Sequence, residues 1–309
     1  MPLMESRETI TPDDEAHWLE MRKQDITSTE CAALFGFSPY QTKFELWHTK
    51  IGNFESQFIS NERVEWGRRL EESIAVGAGE EHGWIVEPFK DYGRLPEHYI
   101  GSSFDFRILE PADDAGLLEV KNLDSRIFRE GWILDSGQLE APPHIELQVQ
   151  HEMLVSGDDR NTIAGLVGGN DLKIIRREAD YEIQQIILDR VGQFWDSIDA
   201  GIEPDPTFPP DSKFIAKLFG FARTGSLEDM TGDPRILDYC QQYVTVAKEK
   251  SAADRLQKEL KAKILLYIGD TEKVTANRFT ISAGMVGPAH IEFDRNPFRN
   301  FRVSERKEK

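Results

Sequence analysis

Glu119 and Lys121 are the residues whose types and spacing point most directly to chemistry, because they lie two positions apart in the apolar run GLLEVKNL. Side chains two apart on a β-strand project to the same face, so this spacing places a carboxylate beside an ammonium group. Asp105 lies on the strand predicted just before this one. If the two strands pair as neighbours, Asp105 and Glu119 converge and can chelate a hard divalent cation.

A cation held there predicts metal-assisted hydrolysis of a phosphodiester. Mg²⁺ prefers a few carboxylate oxygens plus water, and we expect Mn²⁺ to substitute for it. A metal beside Lys121 can generate hydroxide from water, while the lysine orients or deprotonates that water and offsets the charge growing on phosphate. The pattern E-x-K also occurs by chance in charged proteins. The apolar context favours function, because a lone buried carboxylate is costly unless a cation compensates it.

Length and composition restrict the class of protein. The chain has 309 residues, enough for one substantial core plus a smaller unit. It has 39% apolar residues and a mean hydropathy of -0.49, and no apolar run approaches about 18 residues, which excludes disorder and a membrane span. The N-terminus shows no targeting signal, so we expect a cytoplasmic protein. Cys31 and Cys240 support neither a disulfide framework nor a four-thiolate site, so any metal is expected to have mainly oxygen ligands.

The charge is strongly acidic but unevenly distributed. The total of 37 basic and 55 acidic residues gives a net charge of -18. Residues 1–204 hold 19 basic and 40 acidic residues, whereas residues 205–309 hold 18 and 15. The last run, RNPFRNFRVSERKEK, is a small basic tail, which is either a solvated terminus or a phosphate contact.

Caps and apolar spacing predict the elements that position these residues. A helix is expected from Thr11, with Thr11 as N-cap and Pro12 at the first helical position. Thr27 and Glu30 have capping-box spacing, and Gly36 ends that second helix. The other helical patterns are KFELWHTKIG, about Asn61 to His82, PPHIELQVQHEMLVSG and about Tyr181 to Ile202.

Strand-like runs occupy the space between these helices. Three follow Gly83, namely WIVEPFK, HYIGSSFDFRIL and GLLEVKNL, and two more are TIAGLVGG and DLKIIRR. Residues 1–204 are therefore predicted to form an α/β domain in which helices cover both sides of a central mixed sheet. EPDPTFPPD follows as a linker. Residues 205–309 are predicted to form a smaller, mainly helical C-terminal extension, with a long helix or hairpin over Arg235 to Ile268 and a strand-like KVTANRFTIS.

Five motifs in this order resemble the lambda-exonuclease or YqaJ-type viral recombinase family: WLEMRKQDITSTECAALFGFSPY, WGRRLEESIA, GSSFDF, LLEVKN and LQVQHEMLVSG. The resemblance covers about residues 16–200. It implies the restriction-endonuclease-like fold of the PD-(D/E)xK superfamily. It also implies a Mg²⁺-dependent exonuclease that digests the 5′ strand at the ends of double-stranded DNA and leaves 3′ overhangs.

The resemblance also implies roles for individual residues. Asp105, Glu119 and Glu71 become metal ligands, Lys121 becomes the catalytic lysine, and Gln148 positions water or substrate from a helix that covers the sheet. The alternatives are a solvated helix face for Glu71 and a plain helix hydrogen bond for Gln148.

A second set would bind the terminal 5′-phosphate. It consists of Arg22, whose guanidinium can bind phosphate bidentately, with Thr29 and Ser103. The structural alternatives are an incidental position near a helix start for Thr29 and a strand end for Ser103. His144 and His151 are expected to be structural.

The resemblance implies a ring-shaped homo-oligomer, a trimer, acting in a bacterial host or a phage-infected cell beside a single-strand annealing protein. Such a ring can keep a positive inner channel, with Arg68 and Arg69 as candidate channel residues, while its outer surface is acidic. Two other functions stay open from the residues: a structure-specific or restriction-like endonuclease, and a non-catalytic scaffold that binds DNA ends or a partner.

Overall fold

The computed structural model describes residues 6–54, 62–290, 292 and 298–303, and these fall into two compact units within Met1–Leu218 and Phe219–Lys309. The helices of the first unit are α1 (Glu15–Gln24), α2 (Ser28–Leu34), α3 (Lys43–Lys50), α4 (Glu62–His82), α5 (Ser125–Gly131), α6 (Pro143–Ser156), α7 (Tyr181–Asp199) and α8 (Ser212–Leu218). Its strands are β1 (Glu8–Ile10), β2 (Ile26–Thr27), β3 (Ile85–Pro88), β4 (Tyr92–Leu95), β5 (Ile100–Ser103), β6 (Phe106–Glu110), β7 (Gly116–Leu123), β8 (Arg160–Val167) and β9 (Asp171–Glu178).

The central sheet has the strand order β3-β6-β7-β8-β9 and is mixed, because β7 and β8 run parallel while the other neighbours are antiparallel. The parallel pair needs a crossover, and α5 and α6 supply it. Ile74 and Ala78 of α4 pack with Leu118 and Val120 of β7 on one face. Ile145 and Val149 of α6, with residues of α5, pack on the other face. The predicted α/β fold with helices on both sides of a mixed sheet is therefore confirmed.

Helix α6 lies at the centre of the first unit. It contacts β8 of the central sheet, β4 and β5 of a second sheet with the order β1-β4-β5-β2, and the helices α2 and α7. Every residue from Leu147 to Val155 is buried. A helix enclosed on all sides brings its polar residues into the protein interior, where each needs a partner.

The predicted strand HYIGSSFDFRIL is wrong as a single element. Strand β5 belongs to the second sheet and β6 to the central sheet, and the chain passes between them at Phe104 and Asp105. Phe104 is buried and packs against Phe89, with ring centroids 4.6 Å apart. Asp105 therefore lies at the junction of two sheets rather than within a strand. The short strands β1, β2 and β4 and the helices α5 and α8 also escaped the sequence patterns.

The caps show one confirmed prediction and one error. Thr27 and Glu30 form the predicted capping box of α2, and Gly36 follows that helix with a φ of 73°. The first helix does not begin at Thr11. Asp14 is its N-cap and accepts a hydrogen bond from the main-chain N–H of His17 at 2.8 Å. Thr11 instead donates to Asp91, which lies 80 residues further along the same chain, and this distant partner outcompetes the local cap.

The first unit extends past the predicted boundary at residue 204. Asp211 and Phe214 are buried, and the Phe214 ring lies 5.9 Å from that of Phe44 on α3.

The second unit contains α9 (Pro234–Ile268), which is one uninterrupted helix without a buried residue in the described chain. KVTANRFTIS is a hairpin of β10 (Lys273–Ala276) and β11 (Phe279–Ser282), with Asn277 in the left-handed region that a tight turn requires. Most of the basic tail lies outside the described residues. Among those described, no helix has the length and apolar character to cross a membrane.

Candidate active site

Strand β7 places Glu119 and Lys121 on the face turned away from α4. Leu118 and Val120 pack with α4, so the alternating residues Glu119 and Lys121 face α6. Glu119 is 3% exposed, and Lys121 Nζ donates a hydrogen bond to Glu119 Oε1. The carboxylate and the ammonium are in direct contact.

Asp105 is fixed against the same strand by a main-chain contact. Its Oδ2 accepts a hydrogen bond from the main-chain N–H of Val120 at 2.9 Å. The β6–β7 ladder starts at the pair Phe106 and Leu118, so the Asp105 carboxylate extends it by one hydrogen bond. This contact fixes Asp105 beside strand β7, within electrostatic range of Glu119, even though Asp105 lies outside a strand.

Asp105, Glu119 and Lys121 line a notch, and helix α6 covers this notch from the other side. Gln148 Nε2 donates to Glu119 Oε1 at 2.7 Å and to Glu152 Oε1 at 2.9 Å. Asn161 of β8 donates through Nδ2 to Glu152 Oε2 at 2.9 Å. Gln148, Glu152 and Asn161 are all buried. The described polar network therefore runs from β7 through α6 to β8.

Glu71 approaches the notch from α4. It is partly buried, and burial followed by the negative charge of Glu119 raises its pKa, while Lys121 lowers it. Glu71 is thus within electrostatic range of Glu119 and Lys121.

Negative charge is in excess in this notch. Burial raises the pKa of Asp105 well above its usual range, and the charge of Glu119 raises it further. The same two causes raise the pKa of Glu152. Partial burial would lower the pKa of Lys121, but Glu119 and Asp105 raise it above its usual value, so this lysine stays an ammonium ion at neutral pH.

A divalent cation fits this chemistry. Four carboxylates, those of Glu71, Asp105, Glu119 and Glu152, face one ammonium group, and added positive charge would relieve their repulsion. Within the described ranges, no three His, Cys, Asp or Glu side chains are placed together as a ready metal site. Asp105 and Glu119 would therefore hold a cation together with water, as Mg²⁺ accepts, and Glu71 as a third ligand stays a prediction.

The residues predicted to bind a terminal phosphate lie together in a second cluster. Arg22 lies 3.4 Å from the hydroxyls of both Thr27 and Thr29. The Arg22 guanidinium also lies over the Trp18 ring, 4.6 Å from its centroid, and Trp18 Nε1 donates to Ser103 Oγ at 2.7 Å. A guanidinium with the hydroxyls of Thr29 and Ser103 nearby can bind an anionic group.

Lys50 fixes the backbone beneath this cluster. Its Nζ donates to the carbonyl oxygens of Arg22 at 2.9 Å and Asp25 at 2.6 Å, and to Glu30 Oε2 at 2.9 Å. Burial would raise the pKa of Glu30, but Lys50 and then Arg22 hold it below its usual value. The end of α1 and the start of α2 are therefore tied together by a buried ion pair.

The two clusters meet along the chain. Ser103 belongs to the phosphate-binding cluster, Asp105 belongs to the notch, and the buried Phe104 separates them. His151 of α6 has its Nε2 3.1 Å from the Ile26 carbonyl oxygen, and burial lowers its pKa to about 4.

Sequence reasoning missed Glu152, Asn161 and Lys50. Glu152 lies one helical turn after Gln148, so a polar pair at that spacing on a buried helix was the available signal. Nothing in the local pattern marked Asn161 or Lys50, because their partners come from distant parts of the chain.

The fold and the notch together define a class of protein, in which a mixed sheet lies between helices and carries two carboxylates and a lysine close together. Residues 17–159 match the model of the YqaJ-like viral recombinase domain. This segment, somewhat less than half of the chain, is similar to that family.

Solved structures give weaker similarities. LHK-Exo in complex with dAMP is 21% identical, with a TM-score of 0.49 over 66% of this chain and 99% of that chain. The alkaline exonuclease LHK-Exo from Laribacter hongkongensis is 19% identical, with a TM-score of 0.48 over 66% of this chain and 99% of that chain. A phage-related exonuclease from Haemophilus somnus 129PT is 11% identical, with a TM-score of 0.40 over 58% of this chain and 96% of that chain. No curated protein matches significantly.

Proposed function

We propose that the chain is a Mg²⁺-dependent exonuclease that digests linear double-stranded DNA from 5′ to 3′ and leaves 3′ overhangs for recombination by strand annealing. The observation that carries the proposal is the contact network of Asp105, Glu119, Lys121 and Gln148 within a YqaJ-like domain. This combination of two carboxylates, a lysine and an amide suits hydrolysis of a phosphodiester.

The residues divide the work as follows. A divalent cation held by Asp105 and Glu119 would polarise the scissile phosphate and lower the pKa of the attacking water. Glu119 and Asp105 favour the ammonium form of Lys121, which suits this residue to orient water and to offset charge on the phosphate. Gln148 holds Glu119 in place from α6.

Selection of a 5′ end follows from the second cluster. A terminal phosphate carries more negative charge than an internal one and would bind the Arg22 guanidinium beside the Thr29 and Ser103 hydroxyls. Because Ser103 and Asp105 are two residues apart, an end held in this cluster lies close to the hydrolytic notch.

The direct test compares one plasmid as closed circle and as linear duplex, with Mg²⁺ or with a chelator. Labels on the 5′ or the 3′ ends report the direction of digestion. We expect Mg²⁺-dependent loss of the linear form from its 5′ ends and an intact circle. Cutting of the circle would instead support an endonuclease, and no cutting of either form would support the scaffold function.

Replacing Arg22 by glutamine should selectively weaken use of phosphorylated ends. Hydrogen bonds to charged groups contribute about 1.5–3 kcal/mol, so the rate on 5′-phosphate ends should fall about 10- to 100-fold. The fall on 5′-hydroxyl ends should be much smaller. Lys23→Gln is the matched control, because Lys23 is the exposed neighbour on α1 and pairs with Glu20. An equal loss on both kinds of end would contradict the assignment.

We also propose that the chain acts as a ring-shaped homo-oligomer, a trimer, that passes its product to an annealing protein. The assembly is what the family resemblance implies. Contact of the chain with DNA is supported by α4, where Arg69 lies over the exposed Trp66 ring at 5.3 Å from the centroid and Arg68 is close by in sequence. Cations and an aromatic ring on one exposed helix suit contact with a DNA strand. Sedimentation of the protein alone and with duplex DNA tests the assembly.

A further inference from the structure

The side-chain amide of Gln148 lies between two carboxylates. Nε2 is 2.7 Å from Glu119 Oε1 and 2.9 Å from Glu152 Oε1, so its two N–H groups have one acceptor each. The carbonyl oxygen of the amide cannot replace the nitrogen here, because it would face two carboxylate oxygens. The two glutamates together therefore define which way the amide points.

Glu152 is itself held from two elements. It is 2% exposed, and its second oxygen accepts from Asn161 Nδ2 at 2.9 Å. Burial and the nearby charge of Glu119 both oppose its ionised form. An ionised carboxylate at this position lowers the stability of the fold. Packing alone therefore does not explain why Glu152 is there.

We infer that Glu152 is a positioning residue of the active site, which holds one N–H of Gln148 so that the other stays on Glu119. Glu119 then receives Gln148 on one side and Lys121 on the other, both at Oε1, and its orientation toward Asp105 is fixed. Without Glu152, a single carboxylate orients the amide, and the Gln148 side chain can rotate away.

Two substitutions separate this role from packing and from charge. Glu152→Met keeps a similar length but offers no strong acceptor to Gln148. Glu152→Gln removes the charge but keeps an acceptor. Its new N–H groups can reach the Oδ1 of Asn161 after a flip of the Asn161 amide, and that buried oxygen has no hydrogen-bond partner among the described residues.

The activity readout rests on the proposed nuclease function. Loss of a group that orients a metal ligand commonly costs about 10- to 100-fold. We expect Glu152→Met to lower kcat for linear duplex by this factor with little change in KM, and Glu152→Gln to restore most of the loss. Glu146→Met is the matched control, because it removes a carboxylate from the same helix that pairs with Arg177 instead. Thermal unfolding of all three variants verifies that each is folded.

A second readout does not depend on activity. The side-chain NH₂ resonances of Gln148, assigned by their loss in Gln148→Met, should exchange slowly in the wild type and in Glu152→Gln, and about tenfold faster or more in Glu152→Met. If the wild type hydrolyses no DNA, the proposed function fails while this measurement still tests the positioning. Unchanged exchange in Glu152→Met, or a Glu152→Gln variant as impaired as Glu152→Met, would overturn the inference.

Discussion

Lys121→Met should hydrolyse linear duplex about 10³-fold more slowly than the wild type, the range that loss of one proton-handling or charge-stabilising group gives. Lys121 is the cation that contacts Glu119, and Glu119 and Asp105 keep it ionised. Its replacement removes the positive charge that, on the proposed function, offsets the developing charge on phosphate. The effect should appear in kcat, because the interaction strengthens as the transition state forms.

The Lys121 experiment needs a control for the loss of a lysine in general. Lys213→Met serves, because Lys213 is exposed on α8 and outside both clusters. Single-turnover digestion of a 5′-phosphorylated duplex at saturating Mg²⁺ separates the chemical step from product release. A Lys121→Met rate within tenfold of the wild type would show that this lysine is not part of the hydrolytic machinery.

Asp105→Asn should have two effects of opposite sign. Binding of Mn²⁺ measured by calorimetry should be lost, and hydrolysis should fall about 10³-fold, because one of the two proposed ligands is gone. The metal-free protein should nevertheless unfold a few degrees higher, because the substitution removes one of several repelling charges. Asparagine can still accept the hydrogen bond from the Val120 main chain, so the local structure is kept.

Asp114→Asn is the matched control for this second experiment. Asp114 lies at the other end of the β6–β7 hairpin and accepts from Trp84 at 2.9 Å and Arg176 at 3.0 Å. Its replacement should lower the unfolding temperature and leave Mn²⁺ binding intact. If metal-free Asp105→Asn is less stable than the wild type and still binds Mn²⁺, the notch is not a cation site.

Local patterns were sufficient to predict some parts of the fold and site. Strand alternation predicted that Glu119 and Lys121 share a face, and the capping box at Thr27 and Glu30 is present as predicted. Both depend on residues only a few positions apart. The position of Asp105 depends instead on β5 and β6 joining different sheets, which is decided by long-range pairing. Glu152 was hidden for a related reason, because helical spacing marks a buried face without showing which polar group it meets.

The break at Phe104 also determines a distance along the substrate. On the proposed function, the residue that grips the end and the residue that helps to cut lie on either side of one buried ring, which packs tightly on Phe89. A spacer of this kind has little freedom to stretch. On the proposed function, the separation between the bound end and the cleavage site is then fixed by the protein backbone and does not depend on the sequence being digested.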